Sequence, residues 1–215
     1  MGSFRPSGES QTTNYEPRTT DRMLTVGLTG GLASGKSFVG HALADLGCFL
    51  VQADQLGHQV IEPGAEAYDA VMREFGTVDR RALADIVFSN PERLEKLNSI
   101  IHPAVRARTR ALLERFAKEN PSGIAVVEAA ILIETGSFRN YDRIILAVCR
   151  EDQQIERAMA RDHISREQAL ERMHRQMPLQ EKMKFADYII DTSQSKQHTV
   201  EQTRAVYDSL RKRSL

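Results

Sequence analysis

Gly30-Gly31-Leu32-Ala33-Ser34-Gly35-Lys36-Ser37 spells G-x-x-x-x-G-K-S, and the run Leu24-Thr25-Val26-Gly27-Leu28 leads straight into it. That run is apolar enough for a buried strand, while Phe38, Val39, Ala42, Leu43 and Leu46 then recur at helical spacing. A glycine-rich stretch between a strand and a helix is the setting in which this pattern cradles phosphate. A polyphosphate needs many donors at close range. Glycines let the backbone curl so that successive N–H groups point at phosphate oxygens, and the following helix adds the positive end of its dipole. On this reading Gly31, Leu32, Ala33, Ser34, Gly35, Lys36, Ser37 and Phe38 hold the tail of a nucleotide. Lys36 reaches the β- and γ-phosphates, and the Ser37 hydroxyl ligates Mg2+. An ordinary glycine-rich turn has no use for Lys-Ser after its last glycine.

Working outward, apolar strand-like runs recur at Leu24–Leu28, Phe49–Val51, Ile124–Val127, Ile144–Val148 and Tyr188–Ile190, with helical stretches between them. Such alternation implies an α/β fold with a parallel sheet covered on both faces. Ligands on these sheets bind beyond the C-terminal strand ends. The residues that follow each run are therefore the candidates: the glycine-rich loop, Asp54, Glu128, Arg150 and Asp191.

The long gap from about Asp54 to Gly123 reads as wholly helical. Pro63-Gly64 breaks one helix, Asp79 can cap the next, Pro91 suits a first turn, and His102-Pro103 marks a further break. A second helical stretch runs from about Asp152 to Ala186, where Ser165-Arg166-Glu167-Gln168 resembles a capping box. Most of its charges read as a solvated helix pair. Arg157 and Arg161 are four apart, hence on one face, and could close on a transferring phosphoryl group.

Phosphoryl transfer to an alcohol also needs a carboxylate to receive the hydroxyl proton. Asp54 follows the second run and falls on the same sheet edge as the loop; it reads either as that base or as a helix N-cap. Glu128 ends the third run and could hold Mg2+ through water.

The chain has 215 residues, 41% of them hydrophobic, enough for one domain with an inserted lobe. Lys plus Arg and Asp plus Glu both number 29, so no bulk charge favours nucleic acid. Cys48 and Cys149, the only cysteines, sit beside apolar runs as buried thiols often do. No run reaches membrane-span length and no signal peptide is legible, so a cytoplasmic location is expected. Residues 1–22 read as a disordered tail and 23–215 as a single domain, with a lobe over about 55–120 and a lid over about 152–186.

Across roughly Leu24 to the C-terminus the chain resembles the dephospho-coenzyme A kinase family. The resemblance lies in the loop itself, in Ala53-Asp54 with Val60-Ile61-Glu62-Pro63-Gly64, and in Asp79-Arg80-Arg81-Ala82-Leu83. It continues through Leu97-Asn98-Ser99-Ile100-Ile101-His102-Pro103, Ile131-Leu132-Ile133-Glu134-Thr135-Gly136, Arg157, Arg161-Asp162, Arg172, Gln176 and Ala186-Asp187-Tyr188-Ile189-Ile190. It implies a P-loop NTPase fold like that of nucleoside monophosphate kinases: a five-stranded parallel core, a helical substrate lobe and a helical lid. It implies transfer of the γ-phosphate of ATP, with Mg2+, to the ribose 3'-hydroxyl of dephospho-CoA, with no nucleic-acid or membrane partner. Asp54 then takes the 3'-hydroxyl proton, and Arg157 and Arg161 fall among the lid arginines. His102-Pro103 matches a lobe motif or is a helix-breaking turn with a capping imidazole.

Three features depart from the family pattern. Gln52 stands where an aspartate is common. The segment at Gly76-Thr77 is short. Asp191-Thr192-Ser193-Gln194 replaces the usual Asn and Gly after the last strand.

Two other readings compete. Asp54-Gln55-Leu56-Gly57 spells the D-x-x-G of a GTPase switch, but only 17 positions separate Ser37 from Asp54, and no Asn-Lys-x-Asp for guanine is present. A kinase of another small acceptor, such as a nucleoside monophosphate, would recruit arginines in the lobe.

Overall fold

The computed structural model describes residues 22–88 and 90–214; of the stretch read as a tail, residues 1–22, all but Arg22 lie outside them. Five strands form one parallel sheet: β1 (Leu24–Gly30), β2 (Phe49–Gln52), β3 (Ile124–Glu128), β4 (Arg143–Val148) and β5 (Tyr188–Asp191), in the order β2-β3-β1-β4-β5. Each falls on one of the apolar runs. The inner strand β3 is buried along its whole length, which is why it reads as Ile-Ala-Val-Val without polar alternation. The order places β1 between β3 and β4, so the glycine-rich loop leaves from the middle of one sheet edge.

Helix α1 (Lys36–Asp45) follows β1 and buries Val39 and Leu43 against the sheet, while α9 (Lys196–Ser214) packs beside it through Val206 and Leu210. Between β2 and β3 lie α2 (Ala53–Gln59), α3 (Tyr68–Phe75), α4 (Arg80–Phe88) and α5 (Pro91–Glu119). These helices enclose a core of their own, made by Val60, Ile61, Ala67, Val71, Phe75, Leu83 and Leu97. Asp79 Oδ1 accepts from the N–H groups of Arg81 (3.1 Å) and Ala82 (2.9 Å), capping α4 as expected. The short connection from α3 closes on Gly76 in the left-handed region (φ 72°) and leaves only residues 77–79 before α4.

The break expected at His102-Pro103 is absent: α5 runs through Pro103 without interruption. Asn90 caps it and Pro91 opens it. Proline inside a helix costs about 3 kcal/mol. Here both halves of the helix are held by packing. Leu97, Ile100, Ile101, Ala104 and Val105 face the lobe core, and Leu112 and Leu113 lie against the sheet. The His102 imidazole consequently faces a cavity instead of capping a turn.

Beyond β4 come α6 (Glu151–Asp162), α7 (Arg166–His174) and α8 (Leu179–Met183). The capping box at Ser165 and Gln168 is formed in both directions. Ile155, Ala158 and Ala169 join α6 and α7 in a small cluster that includes Leu32 and Ala33 of the glycine-rich loop. The apolar side chains of that loop thus anchor it to the helices above, leaving its backbone to face the cleft. Cys48 and Cys149 are buried free thiols, and burial pushes Cys48 up to about 12.

Candidate active site

The loop after β1 is shaped by two residues in the left-handed region, Ala33 (φ 49°) and Gly35 (φ 83°). Gly35 has a second constraint: a Cβ there would lie 2.9 Å from Thr192 Oγ1. No side chain caps α1, so its first-turn amides stay available to an anion. Ser34 Oγ is buried in the loop without a hydrogen-bond partner. The lysine ammonium folds back on the loop, with Lys36 Nζ donating to the carbonyls of Gly31 (3.0 Å) and Gly30 (3.3 Å). Burial lowers the Lys36 pKa, and the Asp54 and Glu128 carboxylates partly oppose that shift. Phe38 turns the other way and meets Lys196 of α9, whose Nζ lies 6.0 Å from the ring centroid.

Three carboxyl-terminal strand ends converge on this loop. Glu128, the last residue of β3 and only 4% exposed, accepts from Ser37 Oγ at 2.6 Å and from Gln52 Nε2 at 2.8 Å. Two oxygen donors in contact beside a phosphate loop suit Mg2+, a hard cation that takes few protein ligands and completes its shell with water and phosphate. No group of three or more His, Cys, Asp or Glu that could hold a metal exists among the described residues.

Asp54 lies in the first turn of α2, directly after β2. The N-cap position belongs to Gln52, and no side chain caps that helix, so Asp54 is free of the structural role it could have had. Burial raises its pKa, the Lys36 ammonium pulls it down, and the Glu128 charge raises it again. An ionised carboxylate in that setting is a stronger base than one in water.

Arg157 and Arg161 share a helix face but separate at their tips. Arg157 Nη2 donates to the Thr192 carbonyl (2.9 Å) and Nη1 to Thr192 Oγ1 (3.1 Å), fastening α6 to the end of β5. Arg161 is held by both oxygens of Asp162 (2.7 and 3.0 Å), which also receives Arg172 (3.0 Å). Arg161 is near enough to Asp54 for its charge to favour the ionised carboxylate.

Beside Asp54 opens a cavity of about 1000 Å³, walled mostly by apolar residues of the lobe and rimmed by His58, Arg80, His102, Arg106 and Arg110. Burial, with Arg106 nearby, lowers the His102 pKa, so its imidazole is neutral at neutral pH.

Sequence reasoning missed three supports. Thr192 Oγ1 donates to the Ser34 carbonyl at 2.8 Å, tying the end of β5 to the loop. Gln176 Oε1 accepts from the Leu32 N–H at 2.8 Å. Lys182, 1% exposed, sets its Nζ 2.7 Å from Glu134 Oε1. The rule of taking the residue after each run stops at Asp191, one short of Thr192, because β5 extends one residue past the apolar run. Lys182 carried no signal, because it stands among Glu, Lys and Gln in a helix that reads as solvated.

A family model described as dephospho-CoA kinase (CoaE) matches residues 24–198. The dephospho-CoA kinase of Aquifex aeolicus (strain VF5) is 35% identical over 201 residues, covering 87% of this chain and 98% of that protein. Its counterpart in Carboxydothermus hydrogenoformans is 40% identical over 185 residues, covering 82% and 89%. Among solved structures, one from Thermus thermophilus matches with a TM-score of 0.73 at 33% identity, covering 87% of this chain and 98% of its own. The dephospho-CoA kinase from Campylobacter jejuni matches with a TM-score of 0.65 at 27% identity, covering 87% and 97%.

Proposed function

We infer the part each residue plays from one premise: this chain belongs to the dephospho-CoA kinase family. It is an ATP-dependent phosphotransferase that moves the γ-phosphoryl group of ATP to the ribose 3'-hydroxyl of dephospho-CoA, leaving ADP and CoA. The observation that carries the residue assignment is the pairing of an uncapped phosphate loop with a non-capping Asp54 at the mouth of the large cavity.

ATP lies with its phosphates on the amides of residues 31–37. The Lys36 ammonium leaves the loop carbonyls for the β- and γ-phosphates, exchanging weak neutral acceptors for charged ones. Dephospho-CoA occupies the lobe cavity, its apolar portion against the walls and its phosphates toward the arginine rim. Asp54 orients the 3'-hydroxyl and accepts its proton as the oxygen attacks phosphorus in line. Arg161 neutralises charge on the transferring group, and Arg157 braces the nucleotide end of the cleft. Mg2+, when bound by Ser37 and Glu128, supplies charge neutralisation on the β- and γ-phosphate oxygens. Helices α6–α8 form the lid. No described helix is long and apolar enough to cross a membrane, and a cytoplasmic site of action accords with both substrates.

The test is ATP-dependent conversion of dephospho-CoA to CoA, with AMP and adenosine as competing acceptors. Phosphorylation of dephospho-CoA alone supports the assignment. Preference for AMP would make this a nucleotide kinase instead.

A further inference from the structure

Gln52 ends β2 in register with Glu128 at the end of β3. Its Nε2 donates to Glu128 Oε2 at 2.8 Å, while Glu128 Oε1 accepts from Ser37 at 2.6 Å. Gln55, one turn into α2, donates from its own Nε2 to Gln52 Oε1 at 2.7 Å. The four side chains form one network that converges on Glu128: Gln55 donates to Gln52, and Gln52 and Ser37 both donate to the carboxylate. The orientation of the Gln52 amide is fixed, because a reversed amide would set its oxygen against a carboxylate and its NH2 against another NH2.

We propose that Gln52 is a positioning residue for phosphoryl transfer: it holds one oxygen of Glu128 so that the other stays turned toward Ser37, presetting the oxygen pair that receives the divalent cation. The proposal rests on reading Ser37 and Glu128 as the metal-side groups.

The physical need is specific. Glu128 is almost fully buried, so an oxygen without a donor would carry a large desolvation penalty. Its two donors stand on opposite oxygens. Removing Gln52 frees the carboxylate to turn toward other positive charge, and the Lys36 ammonium is close enough for Glu128 to act on its pKa. Gln52 supplies the donor without adding a charge. That matters because Asp54, two residues along, already suffers from the Glu128 charge. Outer-shell groups of this kind typically change metal affinity by about 10–100-fold when lost.

The experiment measures Mn2+ binding by electron paramagnetic resonance to the full chain saturated with a non-hydrolysable ATP analogue. Wild type, Glu128→Gln, Gln52→Leu and Gln52→Asn are compared. Both Gln52 variants remove the reach to Glu128; should the leucine form fail to fold, the asparagine form keeps the polarity of the position and serves alone. The expected result is about tenfold weaker Mn2+ binding in the Gln52 variants, recovery of their turnover at raised Mg2+, and an unchanged KM for dephospho-CoA. Weakened Mn2+ binding in Glu128→Gln with wild-type binding in both Gln52 variants overturns the proposal and leaves the metal assignment standing. Wild-type binding in Glu128→Gln overturns the metal assignment and the proposal with it.

Discussion

The Ser37 hydroxyl and the Glu128 carboxylate, 91 positions apart in the chain, meet at 2.6 Å. One stands on the helix after β1 and the other at the end of β3, and these strands are hydrogen-bonded neighbours in the sheet. Ser37→Ala removes an oxygen without disturbing the sheet. The Mg2+ concentration giving half-maximal turnover is expected to rise by about tenfold or more, and thermal stability to fall, because the buried Glu128 Oε1 loses its donor. Turnover measured against free Mg2+ at saturating ATP checks this.

Lys36→Met deletes the charge offered to the transferring phosphoryl group. Turnover should fall by about 10²–10³ or more, the scale for losing one preorganised electrostatic contact. The same burial that lowers the Lys36 pKa makes its ammonium costly to fold, so the variant should unfold at the same temperature or higher. Steady-state kinetics beside a thermal melt separates the two effects.

Asp54 holds its proton more tightly in the folded chain than in the unfolded one. Stability therefore declines as pH rises from about 3.9, the ordinary aspartate value, through the raised folded value, and the deficit persists above it. Asp54→Asn removes that deficit, so it should melt higher than wild type at neutral pH and lose this advantage in acid. Turnover requires the ionised form, so the acid limb of kcat should lie above the ordinary aspartate value. That limb, displaced upward, should be missing from the residual activity of Asp54→Asn, which loses kcat far more than ATP affinity.

Lys182→Met leaves the Glu134 carboxylate without its ammonium partner. Breaking a buried pair from one side costs about 3–5 kcal/mol, whereas replacing both partners with apolar residues is often neutral. Chemical denaturation should show a large loss for Lys182→Met and recovery in Lys182→Met with Glu134→Leu. No recovery would mean that Lys182 is held by more than Glu134.

Pro103 interrupts no packing but denies α5 one backbone donor. Pro103→Ala should raise stability by about 1–3 kcal/mol, read as a shift in denaturation midpoint, because it restores that bond and relieves the ring.

The sheet was legible because each strand is a short apolar run bounded by turn-forming or charged residues, and because parallel strands are buried on both faces. The phosphate loop and Asp54 were legible by position, each directly following such a run. The continuity of α5 was not, since local chemistry at Pro103 points to a stop and only the packing of Leu97, Leu112 and Leu113 overrides it. Nor could spacing reveal that Arg157 and Arg161 part company: four residues place two side chains on one face, but Thr192 and Asp162 decide where their guanidinium groups go. Gln52 stood out as a departure from the family pattern, yet its meaning depends on the β2–β3 register, which a linear string does not display.

Thr192 comes late in the chain, but its hydroxyl grips the Ser34 carbonyl and its side chain limits residue 35 to glycine. The loop that follows the first strand is therefore completed by a residue that follows the fifth. A nascent chain lacking its final strand has the whole G-x-x-x-x-G-K-S string but not its mould. Nucleotide affinity should thus emerge abruptly during synthesis, once β5 has left the ribosome and docked.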